Sequence, residues 1–326
     1  AAQTISLASG NNFYDLKINN THSSNKVSAQ GSALVVSSHL NIVDGIFESA
    51  SDYHDVTIVS GSTLELTGDI TVSGNWTNNG TFIHNNHTVT FDGSTAQSIS
   101  GSNFFYDLTI NNSMSEITLN NGVVVLGSLN LTSGIINQNT HSIDLRTAVT
   151  VSNASNSSHA RNGFLTKWFN NTDTFTYPCG DGTNYKPITL TSTTTNSNII
   201  SIKNVSAPSL NSQALNSSVS SLEPYYWDIQ RSSGSDGFNI TIPFDASYSI
   251  TDFNNLTIAM WDGTEWTEVL STVTGTAASG SVSTNSAVSD FSNRYFALGY
   301  KSIPKTYVPD DNFEAYLETH DASGNT

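Results

Sequence analysis

Apolar and polar residues alternate along this chain in very short units. Between residues 117 and 151 the pairs Ile117/Leu119, Val123/Val125, Leu129/Leu131, Ile143/Leu145 and Val149/Val151, with Ile135 among them, recur at a step of six residues, once eight. The single residue inside each pair gives period-two alternation, the mark of a strand with one buried face, and the Gly, Asn and Ser between pairs supply turns. Helical periodicity is absent. Strands this short suit a chain that coils, each strand lying on its counterpart one turn earlier. With three faces per turn a rung takes about twenty residues. Residues 1–158 are therefore predicted to form a β-solenoid, a parallel β-helix-like coil of about seven turns. A sandwich of meandering short strands is the competing architecture for this half.

Longer phrases repeat over the same region. The pattern aromatic-x-Asp-Leu/Val-x-Ile occurs from Phe13 to Ile18, from Tyr53 to Ile58 and from Phe105 to Ile110. The echoes "QTIS" at Gln3 and "QSIS" at Gln97 precede the first and third copies. The chain thus opens inside a repeat, as a piece of a longer protein would. Repeated phrases are expected at equivalent corners of successive coils. The pairs Asn19-Asn20, Asn78-Asn79 and Asn111-Asn112 are expected to turn those corners in left-handed geometry and to ladder between rungs.

Past Ser158 the apolar runs lengthen, and Trp168, Trp227, Trp261 and Trp266 all lie there. The stretch "AMWDGTEWTEV" reads as a hairpin around Asp262-Gly263, and "YYWDIQRS" at Tyr225 and "RYFALGY" at Arg294 read as further strands. Residues 159–303 are predicted to form a β-sandwich with an aromatic core. In 304–326, Pro304 and Pro309 frame a linker, and Asp310 or Asp311 can cap a helix with Phe313, Tyr316 and Leu317 on one face. This segment reads as the start of a further, truncated domain. The fold class is all-β apart from that helical start.

Composition narrows the function. Eleven Lys and Arg against twenty-seven Asp and Glu give a net charge of −16, which repels phosphate backbones and anionic membrane surfaces. Nucleic acid and membrane insertion are not expected; no stretch has the apolar length of a membrane helix. Cys179 is the single cysteine and has no internal partner for a disulfide, so it reads as a buried thiol.

Candidate chemistry is sparse. His84 and His87 flank two asparagines without the Cys or Glu that would complete a zinc set, and "HTVTF" at His87 matches "HSIDL" at His141 as a rung position. Asp15, Asp55 and Asp107 could be carboxylates of a solenoid lyase or glycosidase. Such sites need a convergent acid/base pair or a basic partner, and only Lys17, Lys26 and Arg146 are basic before residue 155. Repetition in one local phrase favours a turn-forming role. "GDGTN" at Gly180 and "WDGTEW" at Trp261 offer oxygen ligands for calcium at low density and read better as turns. The tryptophans could stack on sugars, yet a core role is the commoner one. Thr-rich strands bring ice-binding solenoids to mind, but a regular Thr-x-Thr ladder on one face is missing from the sequence. No catalytic, cofactor-binding or metal residue is assigned, and no cofactor is expected, calcium being the weak exception.

The stretch "AQSISGSNFFYDLTINN" and the run "LNLTSGIINQNTHSIDL" resemble the β-solenoid regions of large secreted surface proteins of Bacteroidota. "FTYPCGDGTNYKPITL" at Phe175 is similar to the Phe-x-x-Pro-x-Gly-Asp signature of the domain that often follows such repeats. "TYVPDDNFEAYLE" resembles the cap that precedes leucine-rich repeats in the same proteins. The resemblance implies export by the type IX route and a place outside the cell or on its surface. The expectation is a non-catalytic structural or adhesive module, a stalk or a filament or surface-layer component, with itself or surface glycans as partners. The alternative is a carbohydrate-active enzyme or carbohydrate-binding protein using a groove of the solenoid.

Overall fold

The computed structural model describes residues 3–7, 12–22, 25–31, 34–206, 213–292 and 294–303. The helix expected near Asp310, and with it the leucine-rich-repeat cap, lies outside the described residues. The fold is all-β: a β-solenoid of about eight turns followed by a β-sandwich.

The coil has three faces of parallel strands. The first stacks Gln3–Leu7, Lys26–Gly31, Ile46–Ser49, Thr63–Leu66 and Thr81–Ile83. The second stacks residues 12–13, 35–36, 52–53, 70–72, 88–91, 107–110, 128–131 and 150–152. The third runs through residues 15–18, 39–42, 55–58, 76–78, 97–101, 117–119, 136–137 and 160–161. The apolar pairs face inward: Ile117, Leu119, Val123, Val125, Leu129, Leu131, Ile143 and Leu145 are all buried. On the first face the ladder breaks after Thr81–Ile83 and starts again at residues 103–105, which pair with 123–125 and, through them, 143–145. Behind the break Trp76 packs against Phe82, Phe91 and Phe105 and donates its indole N–H to Asn103 Oδ1 at 2.7 Å.

The repeated phrases do not share one column, which corrects the expectation of equivalent corners. Phe13 and Tyr53 stand on the second face and their Asp-Leu/Val-x-Ile tails on the third. Phe105 stands on the first face and residues 107–110 on the second, aligned with 88–91. Gln3 and Gln97 are offset in the same sense, on the first and third faces. The whole phrase has entered the coil one corner away. The histidine phrases behave alike. His84 to His87 and Gln138 to His141 are both turns closed by a main-chain bond, 2.9 Å and 2.7 Å, with left-handed central residues Asn85 and Asn86 or Asn139 and Thr140. One turn leads onto the second face and the other onto the first. The phrase encodes a bend, not a side of the prism.

The asparagine pairs do not take the expected left-handed geometry, although Asn78 and Asn112 do tie one rung to the next. Among the described residues the left-handed asparagines are Asn85, Asn86, Asn139, Asn153 and Asn162. Asn20, Asn78 and Asn112 instead donate to the main-chain carbonyls of Asn25, Ser102 and Thr95 at 2.8, 2.5 and 2.6 Å. Glycine makes the tightest corner, because a Cβ at Gly101 (φ 87°) would lie 1.9 Å from the Asn78 carbonyl oxygen.

Parallel stacking does not stop at Ser158. Ala160–Arg161 lies on Ile136–Asn137, and Leu165–Phe169 lies on Ile143–Leu145. That last strand has two allegiances, since its other edge pairs antiparallel with Asn198–Ser206. It is the outer strand of the first sandwich sheet, which continues through Val219–Ser233, Arg294–Lys301, Leu256–Trp261 and Trp266–Val269. The second sheet runs Thr174–Tyr177, Ile188–Ser192, Phe238–Phe244, Ser279–Thr284, Ser271–Thr276, all antiparallel. Trp227 and Trp266 are buried completely. The outward side of the second sheet carries a cross-strand hydroxyl row, Thr176, Thr189, Thr241, Ser283 and Thr272, and on the second face of the coil Thr71, Thr90 and Thr109 stand in one column.

Candidate functional site at the solenoid–sandwich junction

Where the coil meets the sandwich, a cleft of about 470 Å³ opens. Its solenoid wall is Asn137, Asn139, Thr140 and Asn162. Asn137 ends a two-residue strand, and its Oδ1 accepts from Asn139 N and Asn162 Nδ2, both at 3.2 Å. Its amide nitrogen is 3.3 Å from Glu116, which in turn receives a two-pronged bond from Arg161 at 2.9 and 2.8 Å. Asn139 and Asn162 tolerate left-handed backbone. Thr140, at φ 73°, does not: its β-branched side chain makes this a strained position. Its N–H is held by the Asn162 carbonyl at 2.7 Å.

The opposite wall comes from the Gly180-Asp181 loop and the strand Asn198–Ser206. Asp181 Oδ1 accepts from the N–H groups of Thr183 and Asn184, both at 2.7 Å. Burial opposes its ionisation, but these bonds outweigh burial and hold the carboxyl below its ordinary range. His159, buried, fixes this loop onto the coil: Nε2 accepts from Gly182 N at 3.1 Å while Nδ1 faces the Ser155 carbonyl at 3.0 Å. Nδ1 therefore carries the proton of a neutral ring, whose pKa burial has lowered.

Asn204 is the unusual member. Along Asn198–Ser206 every second residue turns inward, Asn198, Ile200, Ile202, Asn204. An amide thus occupies the place where the alternation calls for another apolar side chain. Asn204 is 8 % exposed, and neither its Oδ1 nor its Nδ2 has a hydrogen-bond partner. Each unpaired buried group costs about 1–3 kcal/mol. Beside it Lys203 is balanced by Asp228, 4.0 Å away, and lies 4.8 Å from the Phe164 ring. In the sequence Asn204 is marked by a single signal, a polar residue at an inward position of an otherwise alternating strand.

The residues singled out from sequence lie elsewhere, apart from Gly180 and Asp181. His84 stacks on Tyr106 at 5.7 Å beside a hollow formed by Phe82, Ile83, Phe104 and Leu126 at the ladder break. His87 Nδ1 is 3.6 Å from Asp69. Asp55 accepts from the N–H of Asn75 at 2.6 Å and Asp107 from Ser128 at 2.6 Å, in each case a residue of the following coil. Asp15 and Asp55 stand in one column of the third face with His39 between them, whereas Asp107 stands on the second face. Asp262 binds the N–H groups of Thr264 and Glu265 at 2.8 and 2.9 Å, and its pKa falls to about 2 through those bonds. The two Asp-Gly-Thr sequences are thus the same turn, with one carboxylate oxygen turned to the backbone in each. Among the described residues no three His, Cys, Asp or Glu side chains are grouped as a metal site. Cys179 is buried, and burial raises its thiol pKa to about 12.

Family models, curated proteins and solved structures were each compared with the chain, and none matches. The cleft therefore has to be read from its own chemistry: amides, hydroxyls and main chain, one engaged carboxylate and one balanced ammonium.

Proposed function

We propose that the chain is a non-catalytic structural or adhesive module of a large secreted surface protein, in which the coil serves as a rigid spacer and the sandwich as its fixed head. The extracellular location, and the type IX route, rest on the resemblance of the solenoid and Phe-x-x-Pro-x-Gly-Asp stretches to Bacteroidota surface proteins. The observation that carries the spacer reading is the shared strand Leu165–Phe169, parallel to the coil on one edge and antiparallel to the sandwich on the other. A second stitch joins the third face, where Ala160 bridges Cys179 in parallel. Lys167, on the shared strand, donates to the carbonyls of Arg146 and Thr147 at 2.7 and 2.6 Å. A hinge would have to break all three.

Spin labels on Asp69→Cys in the coil and Thr272→Cys in the sandwich test this; the native Cys179 is buried. One narrow distance distribution is expected. A broad or bimodal distribution overturns the rigid spacer, and release of reducing sugar from plant, algal or bacterial polysaccharides overturns the non-catalytic reading.

A further inference from the structure

We propose that the junction cleft is a binding site for a neutral saccharide, a unit of one or two sugar rings, gripped by Asn204 and by the amide wall of Asn137, Asn139 and Asn162. The proposal goes beyond the spacer reading and does not depend on it.

The volume comes first. At about 470 Å³ the cleft falls inside the range of small-molecule sites, roughly 300–1,000 Å³. Its lining then decides the class. An anion would need uncompensated positive charge, but Lys203 faces Asp228 and Asp181 adds a carboxylate. A cation would need several free oxygen ligands around one point, and the described residues contain no such group of carboxylates. An apolar ligand would need an apolar wall, and Val205 is the one aliphatic side chain larger than methyl in the lining. What remains is a neutral molecule dense in hydroxyls, for which carboxamides are apt partners because each offers both donors and an acceptor.

Two further observations mark the cleft as a built site. Asn204 buries both amide atoms unpaired at a position where Leu or Ile would fit the alternation of its strand. Thr140 keeps a β-branched residue in left-handed geometry at the rim. Two departures from local rules, on walls supplied by different halves of the molecule, meet at one cavity. A bound sugar hydroxyl would satisfy the Asn204 amide and tie the two walls together.

The experiment uses the full chain, labelled with ¹⁵N, and millimolar glucose, galactose, mannose, N-acetylglucosamine and their disaccharides, with galacturonate and N-acetylneuraminate as the anionic arm. At least one neutral sugar is expected to shift amide signals of residues 137–140, 162 and 203–206. Asn204→Ala should weaken that binding by about tenfold or more. Asn204→Leu should abolish it at an unchanged or higher melting temperature, which separates lost binding from lost fold. Asn85→Ala, on the coil away from the cleft, should leave it intact. No shift with any neutral sugar overturns the proposal. Preference for the anionic sugars overturns the ligand class, and binding that survives Asn204→Leu overturns the location.

Discussion

In the coil a strand of three or four residues pairs with its counterpart one rung away; in the sandwich, Val219–Ser233 pairs with Arg294–Lys301, far along the chain. The first arrangement passes stability from neighbour to neighbour, as in any quasi-one-dimensional stack. The second closes long loops before its pairings form, and so binds distant segments into one unit. Local pairing also explains why a phrase such as Phe-Tyr-Asp-Leu-Thr-Ile can move by one corner: any face accepts two inward apolar residues. A sandwich strand has one place only.

The largest test of this difference removes one fully buried tryptophan from each half. Trp76→Ala and Trp227→Ala should each cost about 3–5 kcal/mol in urea unfolding. Hydrogen exchange should then separate them. Trp76→Ala should loosen the rungs around Val56 and Ile99 while Val219–Ser233 stays protected, whereas Trp227→Ala should deprotect both sandwich sheets together. Equal loss of protection in both halves after Trp76→Ala would show that the coil is not a nearest-neighbour stack.

Next in size is the seam. Lys167→Met leaves the Arg146 and Thr147 carbonyls without their ammonium and should cost about 1–3 kcal/mol. Burial lowers the Lys167 pKa from 10.5 to about 8, with Asp173 opposing. Between those values the unfolded chain holds a proton that the folded chain has released, so stability from this group rises with pH across the window. The gap in urea midpoint between the native protein and Lys167→Met should therefore widen from pH 8 to pH 10.5. A constant gap would mean that the ammonium keeps its ordinary pKa in the fold.

The smallest effect concerns the repeated aspartate. Asp107→Ala removes the bond to Ser128 on the following rung and should lower stability by about 0.5–1.5 kcal/mol. Exchange should quicken only on the rungs containing residues 107 and 128. If Asp107→Ala abolished glycan binding at an unchanged melting temperature, the aspartate would be part of a site and not a rung-to-rung tie.

Much of the fold is legible in the sequence, since period-two pairs such as Val123/Val125 and Leu129/Leu131 state both strand and inward face. Which side of the prism a pair occupies is not legible, because the signal of a corner, an Asn-Asn turn or an Asp after an aromatic, is local, while the column depends on the summed lengths of all earlier corners. The end of the coil is hidden for a different reason. The polar stretch "SNASNSSHARNG" reads as a break, yet it is a corner followed by further stacked strands. Lys167 and His159 escape notice because a buried charged or titratable side chain in a strand looks like a solvated one until its partners are placed. The cleft is divided in the same way: Gly180 and Asp181 sit in a readable turn, while Asn204 shows only as one amide out of step with Ile200 and Ile202.

The strand Leu165–Phe169 also works as a polarity adaptor. A coil end is a template that would accept another parallel strand indefinitely, and here the next strand to dock, Asn198–Ser206, runs the other way. Adding or deleting a whole rung upstream would move the far end of the coil by about one inter-strand spacing, some 4.8 Å, and would alter no residue of the adaptor. Reach can therefore drift in evolution one rung at a time while the head, its cleft and their mutual orientation are inherited unchanged.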